Sequence, residues 1–358
     1  MSLAACCRRS VLRYLTRVLV SGDLDSLRGL LGLLAKPCDR GVVDSVLQYA
    51  RRNGVAHVLY RALVEDGAAC SELARGLATE AEVVYRNARY RDELLHLLVG
   101  ALEDGGIDYA VFKTFNELGI VDVDVDVIVR REVYWDAVKR LISRGFKPID
   151  DLGKTYATGF MVRGNPIVVD LHTEVTVLGV PYVDSETLFK HRVRARYRSS
   201  SGNSISIYTL DTPAEALVRV AHAVIKEAEI RVDDVSEALK AVENHPGELV
   251  ELAEEEELEP ALILFMEKVS SELGSDPRKF ENLGSWRALG ILRGVTARSE
   301  GVPPYRLPRL ASLVALLHRA RRKGETGLLL KAVGNLRYRR SAAHIGSLLM
   351  RRFTYGMS

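Results

Sequence analysis

Residues 121–129 read VDVDVDVIV, and this strict alternation limits the fold more than any other feature of the chain. A period of two, in a run rich in β-branched residues, predicts a β-strand. On a strand, Asp122, Asp124 and Asp126 point to one face and the valines point to the other. Like charges on one face repel, so the strand is either exposed, as in many antiparallel sheets, or neutralised. A divalent cation would neutralise it, because Mg²⁺ prefers carboxylate oxygens.

A second acidic strand is predicted at residues 167–175, which read IVVDLHTEV. Asp170, His172 and Glu174 alternate with the other residues and therefore share one face. If the two strands pair, either antiparallel or with an offset, Asp170 approaches the carboxylates of the first strand. Carboxylates that converge from adjacent strands can hold two metal ions, as phosphoryl and nucleotidyl transfer require. His172 either lines this pocket or has a structural role.

The rest of the chain changes from a helical pattern to a strand pattern and back. Apolar residues at three- and four-residue spacing predict helices over the first hundred residues, ending before Gly105 and Gly106. Asp211-Thr212-Pro213 carries the signals of a helix start, and the remainder reads helical. Strands are predicted at 107–113, 121–129, 155–162, 167–175 and 204–210, with a helix at 132–144. The fold class is therefore α+β, a small mixed sheet flanked by helical regions. The predicted domains are 1–104, 105–210 and 211–358.

Composition narrows the class of protein. The four cysteines form no CxxC pair, so neither a zinc site nor a disulfide framework is predicted, and a reduced, cytoplasmic location is expected. No uninterrupted apolar run reaches about 18 residues, so we expect no transmembrane helix and no membrane partner. A composition rich in Val, Leu, Arg and Glu is typical of thermophiles. Lys and Arg concentrate at 306–352, a basic tail that can meet phosphate.

Three segments carry a family resemblance: Phe112-Lys113-Thr114, Asp124 to Val129 and Val169 to His172. They resemble the turn, the DxDxxV strand and the VDLH strand of an uncharacterised nucleotidyltransferase family in the DNA polymerase beta-like superfamily. Nine residues separate Thr114 from Asp124, which fits the superfamily spacing. The likeness extends over roughly 45–240. The family has glycine at the turn, where it lets backbone amides approach a triphosphate, and this chain departs from that pattern.

The resemblance implies a nucleotidyltransferase-like core and a set of site residues. The catalytic and metal-binding carboxylates would be Asp124, Asp126 and Asp170. The substrate-binding residues would be Lys113, Thr114 and His172. The implied cofactor is Mg²⁺ or Mn²⁺, and the implied reaction transfers NMP from a nucleoside triphosphate to a hydroxyl on RNA, a protein or a small molecule, with release of pyrophosphate.

Two alternatives accompany this interpretation. Loss of the turn glycine favours a catalytically lapsed protein that acts as a nucleotide-, RNA- or protein-binding module. A phosphotransferase or nuclease using the same metals has no P-loop or kinase-like glycine-rich loop to support it. If RNA is the acceptor, the basic tail at 306–352 is its predicted docking site, although a solvated helix face would have the same composition.

Overall fold

The structure is a computed structural model that describes residues 3–35, 40–65, 72–149, 157–177, 179–199, 202–273 and 302–328. The chain divides into two compact units. The first takes residues 1–88, 115–121 and 212–315, and the second takes 89–114, 122–211 and 316–358. The division into domains at 1–104, 105–210 and 211–358, which the sequence indicates, stays a prediction.

The first unit is built from helices. They are α1 (Leu3–Ser21), α2 (Leu24–Ala35), α3 (Arg40–Asn53), α4 (Ala56–Glu65), the start of α5 (Glu72–Glu103), α8 (Thr212–Ala221), α9 (Val232–Asn244), α10 (Pro246–Glu255), α11 (Glu259–Leu273) and the start of α12 (Arg309–Arg322). The spacing of buried residues in α3 shows why these segments are helical: Val43, Val46, Ala50 and Asn53 recur every three or four residues. That buried stripe belongs to a core shared by α1 to α4.

Two local features break the helical pattern of the first unit. A π-helical turn, His222–Glu227, follows α8 and ends at Ala228, whose φ of 53° is left-handed. A short antiparallel pair then forms between β10 (Glu229–Ile230) and β11 (Tyr305–Arg306). No helix within the described ranges combines the length and the apolar character needed to cross a bilayer.

The second unit is organised around a seven-stranded mixed sheet with the order β3-β4-β5-β2-β1-β9-β8. Its strands are β1 (Tyr109–Phe112), β2 (Asp124–Val129), β3 (Phe146–Ile149), β4 (Ala157–Val162), β5 (Val168–His172), β8 (Arg192–Arg198) and β9 (Ser204–Leu210). The neighbours β2 and β5 run parallel, as do β1 and β9, and the other pairs are antiparallel. The unit also contains α6 (Tyr134–Ser143), α7 (Ser185–Lys190) and a hairpin of β6 (Val175–Val177) and β7 (Val180–Val183).

The predicted mixed sheet with flanking helices is confirmed. The turn predicted at residues 163–166 joins β4 to β5 as an antiparallel pair, and the Asn165 amide donates to the Val162 carbonyl (3.0 Å). Two strands of the seven-stranded sheet, β3 and β8, were not predicted, and neither were the short strands β6, β7, β10 and β11. Lys147 and Pro148 interrupt the apolar pattern of β3, and arginines occupy every second position of β8, so neither segment reads as a buried strand.

Candidate metal and nucleotide site

The site begins at the turn that follows β1. Lys113 adopts a φ of 55°, the left-handed conformation that glycine takes readily and other residues rarely take. A side chain in this conformation costs about 1–2 kcal/mol. The backbone at residue 113 therefore keeps a conformation suited to glycine although the residue is lysine.

The two acidic strands lie side by side. β2 and β5 pair in parallel, so Asp126 is directly opposite Asp170 and Ile128 is opposite His172. The antiparallel arrangement considered from the sequence is wrong, and the strands instead overlap with an offset. The last acidic residue of β2, Asp126, therefore lies opposite the first acidic residue of β5, Asp170. This register brings oxygens of Asp126 and Asp170 and a nitrogen of His172 within 4.8 Å of one another.

The alternation predicted for residues 121–129 holds only from Asp124 onward, because β2 begins there. Val123 is 52% exposed, although the period-two pattern predicts it on the buried face. Asp122 precedes the strand and is half-buried, yet its charge acts on Asp124. Burial, Asp126 and Asp122 together raise the pKa of the Asp124 carboxyl well above its usual value.

An internal cation lies among these carboxylates. The Lys113 ammonium is 2.8 Å from Oδ2 of Asp126, and the side chains of both residues are only 11% exposed. Burial opposes the charge on the lysine, but Asp126 and Asp124 outweigh it and raise the pKa of the Lys113 ammonium. Nε2 of His172 lies 2.8 Å from Oδ1 of Asp126. Both oxygens of this carboxylate therefore have partners.

Two aromatic residues that were not predicted from the sequence lie beside the cluster. The ring of Phe112 meets His172 edge-on at 5.6 Å, and the Lys113 ammonium lies 5.3 Å from the centre of the same ring. Tyr182 of β7 is buried, and its phenolate, where it forms, favours the charged form of Lys113. Phe112 directly precedes Lys113 at the turn, so its position beside the site could have been predicted from the sequence. Nothing in the sequence connects Tyr182 with a lysine 69 residues earlier.

Thr114 lies inside the turn that follows β1. Its side chain is buried, and its hydroxyl donates to the Phe112 carbonyl at 3.1 Å. Its own carbonyl accepts from the Arg91 guanidinium at 3.4 Å. The hydroxyl thus bonds within the turn, and the contact of Thr114 with a phosphate stays a prediction.

The basic tail is only partly covered by the described residues, since residues 329–358 lie outside them. Within the covered part, Arg319 is fully buried. It donates to the Pro181 carbonyl and to Asp184, each at 2.7 Å, and to Glu325 at 3.0 Å. Lys323 also pairs with Asp184, at 2.7 Å. These two basic residues hold α12 in place and do not present a free cationic surface.

Comparisons with known proteins return few similarities. No protein-family model matches the chain, and no curated protein is similar to it. One similar solved structure is that of the antibiotic-resistance factor ANT(2'')-Ia, at 12% identity, over 45% of this chain and 87% of that one, with a TM-score of 0.31. Another is an antigenic nucleotidyltransferase-like protein from Paracoccidioides brasiliensis, at 14% identity, over 52% and 96%, also with a TM-score of 0.31.

Proposed function

We propose that the protein is a metal-dependent nucleotidyltransferase that moves NMP from a nucleoside triphosphate to an acceptor hydroxyl. The observation that carries the proposal is the parallel register that sets Asp126 opposite Asp170, with His172 beside them. Three potential donors converge on one face of the sheet, with the Lys113 ammonium beside them. Such a concentration of buried charge is costly for the fold, and clusters of this kind are typical of functional sites.

The donor set fits a divalent metal. An ion bonded at about 2.1 Å holds two ligand atoms at most about 4.2 Å apart, so donors within 4.8 Å of one another need only small shifts. Asp126 and Asp170 would hold Mg²⁺ or Mn²⁺, with Asp124 adjacent for a second ion, and an imidazole such as His172 suits Mn²⁺ better. When bound there, the metal supplies charge neutralisation for the attacking and leaving oxygens.

The side chains of the chain itself then have distinct tasks. Asp170 accepts the proton of the acceptor hydroxyl as the O–H bond breaks. The hydroxyl oxygen bonds to the α-phosphorus, the bond to the bridging oxygen breaks, and pyrophosphate leaves with that electron pair. Lys113 donates hydrogen bonds to the phosphate oxygens once it leaves Asp126, because an ammonium on a flexible stem can follow the charge.

A specific observation favours a second candidate, a nucleotide-binding protein without catalysis. The Lys113 ammonium sits 2.8 Å from Asp126, in a position to neutralise a carboxylate that a metal would otherwise neutralise. If lysine replaces the metal permanently, triphosphate binding would not depend on a divalent cation. Metal dependence therefore separates the two candidates.

Calorimetric titration of the four nucleoside triphosphates, with Mg²⁺ or Mn²⁺ and then with a chelator, tests the proposal. We expect binding that requires metal and that an Asp124→Ala/Asp126→Ala variant loses, because both carboxylates are removed from the site. Asp136→Ala is the matched control, since Asp136 is an exposed acid on α6 with 64% side-chain exposure. Equal binding with and without metal supports the second candidate, and absence of binding to folded protein contradicts both.

A further inference from the structure

The β8–β9 hairpin has two chemically different faces. In its seven-pair register, Arg192, Arg194, Arg196 and Arg198 lie opposite Leu210, Tyr208, Ser206 and Ser204. Directly opposed residues share a face, so these eight side chains lie on one side. The other side carries Ile205 and Ile207, both buried, and Tyr197, whose hydroxyl donates to Asp92 at 2.7 Å. The four arginines, called the arginine row below, therefore lie on the outer face.

Contacts within the hairpin and with two acids outside it hold the first half of the arginine row in place. The guanidinium groups of Arg192 and Arg194 lie 4.4 and 5.2 Å from the centre of the Tyr208 ring. Arg192 also pairs with Asp108 at 2.9 Å and Arg194 with Glu103 at 3.4 Å, and Nε of Arg194 donates to Ser206 at 2.7 Å. Guanidinium groups stacked on an aromatic ring lose less freedom when they bind a phosphate.

The second half of the arginine row is open to solvent. Arg196 and Arg198 are exposed, and among the described residues neither forms an ion pair. Their cross-strand neighbours, Ser206 and Ser204, are exposed as well and offer hydroxyl donors. No Asp or Glu occurs anywhere in residues 192–210. In a protein whose net charge is only +3, the second half of the row is a positive surface that no acid of the hairpin offsets.

The arginine row lies on the terminal strand of the sheet, where charged residues can also prevent unwanted strand pairing. Protection of an edge does not require all charges to share a face. In β8 the four arginines do share one face, at intervals of about 6.7 Å over roughly 20 Å. They therefore form a linear array of charges rather than a point charge. A linear array of cations with interspersed hydroxyls matches a linear polyanion.

We propose that the arginine row binds single-stranded nucleic acid through its sugar–phosphate backbone. Arginine and serine side chains are typical donors to phosphate oxygens, and such contacts carry no base information. The site is therefore expected to bind RNA and DNA strands of the same length alike. This binding does not depend on the carboxylate cluster or on metal, so it stands or fails separately from the proposed transfer reaction.

Fluorescence anisotropy with labelled 20-nucleotide single strands of RNA and DNA, measured from 50 to 300 mM KCl with chelator present, tests the inference. For a single strand, each phosphate contact contributes about 0.7 to the slope of log K against log salt, so four contacts give a slope of about −3. Arg196→Gln/Arg198→Gln should weaken binding about tenfold at low salt and reduce the slope by about 1.4. Arg196→Lys/Arg198→Lys should keep most of the slope, because it keeps the charge.

The matched control is Arg52→Gln/Arg61→Gln, which removes the same charge from exposed positions on α3 and α4. Circular dichroism of each variant establishes that it is folded. Equal weakening by both double glutamine variants would overturn the proposal, because net charge alone would then explain binding. Tighter binding to a duplex, or binding to anionic phosphatidylglycerol vesicles without binding to the oligonucleotides, would also overturn it.

Discussion

Replacing Lys113 by alanine is expected to lower the free energy of unfolding of the metal-free protein by about 3–5 kcal/mol, the usual cost of breaking a buried ion pair. Asp126 stays buried after the change but loses the ammonium at 2.8 Å, and Asp124 and Asp170 remain near it. Alanine keeps a Cβ at a φ of 55°, so relief of backbone strain does not offset the loss. Urea denaturation in the presence of chelator measures the effect.

The same variant should respond more strongly to divalent metal than the wild type. Without the ammonium, the carboxylates lose a cation that competes with a metal, so a metal that binds only the folded state restores stability in proportion to its affinity. We expect Mn²⁺ or Mg²⁺ to raise the thermal midpoint of Lys113→Ala by more than that of the wild type. Nucleoside triphosphate binding should weaken, because the phosphate loses the lysine.

Lys139→Ala provides the control for the Lys113 variant. Lys139 is 76% exposed and pairs with Asp136 on the surface of α6, so its loss should leave stability nearly unchanged. If metal shifted the midpoints of Lys113→Ala and the wild type equally, the ammonium would not be occupying a cation position. If Lys113→Ala were as stable as Lys139→Ala without metal, the buried pair would contribute nothing.

A second large effect is expected at Arg219 in the first unit. This guanidinium is 2% exposed and bonds three acceptors: Glu215 at 2.8 Å, Asp233 at 3.3 Å and the Phe115 carbonyl at 2.8 Å. Burial opposes its charge, but Glu215 and Asp233 outweigh burial and raise the pKa of the guanidinium. Arg219→Ala should lower the free energy of unfolding by about 3–5 kcal/mol, since two buried carboxylates lose this guanidinium and Asp233 keeps only the weaker contact with Arg231 at 3.2 Å.

Urea denaturation, with hydrogen exchange followed in α8 and α9, measures the Arg219 effect. Arg219→Lys should fall between the wild type and alanine, because an ammonium keeps the charge but cannot serve three acceptors in one plane. Lys240→Ala is the control, since Lys240 is 37% exposed and its pair with Glu117 lies at the surface. A loss below about 1 kcal/mol for Arg219→Ala would mean that the acids are solvated or protonated instead.

The sequence was informative where the pattern is local. The valines and aspartates of β2 and the Asp170 strand were predicted, because alternation depends only on residues two positions apart. The pairing direction of β2 and β5 was not, since α6, β3 and β4 intervene and nothing local sets the register. The contact of Lys113 with a phosphate stays a prediction, and the pairing of its ammonium with a carboxylate of the neighbouring strand, at 2.8 Å, was not predicted.

The missed strand β8 illustrates another limit of local pattern. Its residues alternate as strictly as those of β2, but one face carries only arginines, and the other carries Val193, which is 41% exposed, and the small residue Ala195. A strand of this composition is not detected by a search for runs of apolar residues. Alternation of charge, counted as carefully as alternation of apolar residues, would have predicted both the strand and its cationic face.

The order in which the carboxylate cluster assembles follows from the position of Lys113 in the chain. Lys113 and Asp126 are joined by the β1–β2 antiparallel pair and are 13 residues apart, whereas Asp170 follows Asp126 by 44 residues. Contacts between nearby residues close smaller loops and form at a lower entropic cost. We therefore expect the ammonium to meet Asp126 before β5 arrives. Asp170 is then buried beside a carboxylate that the Lys113 ammonium already neutralises. The pairing of β5 with β2 therefore does not require a metal ion to bind first.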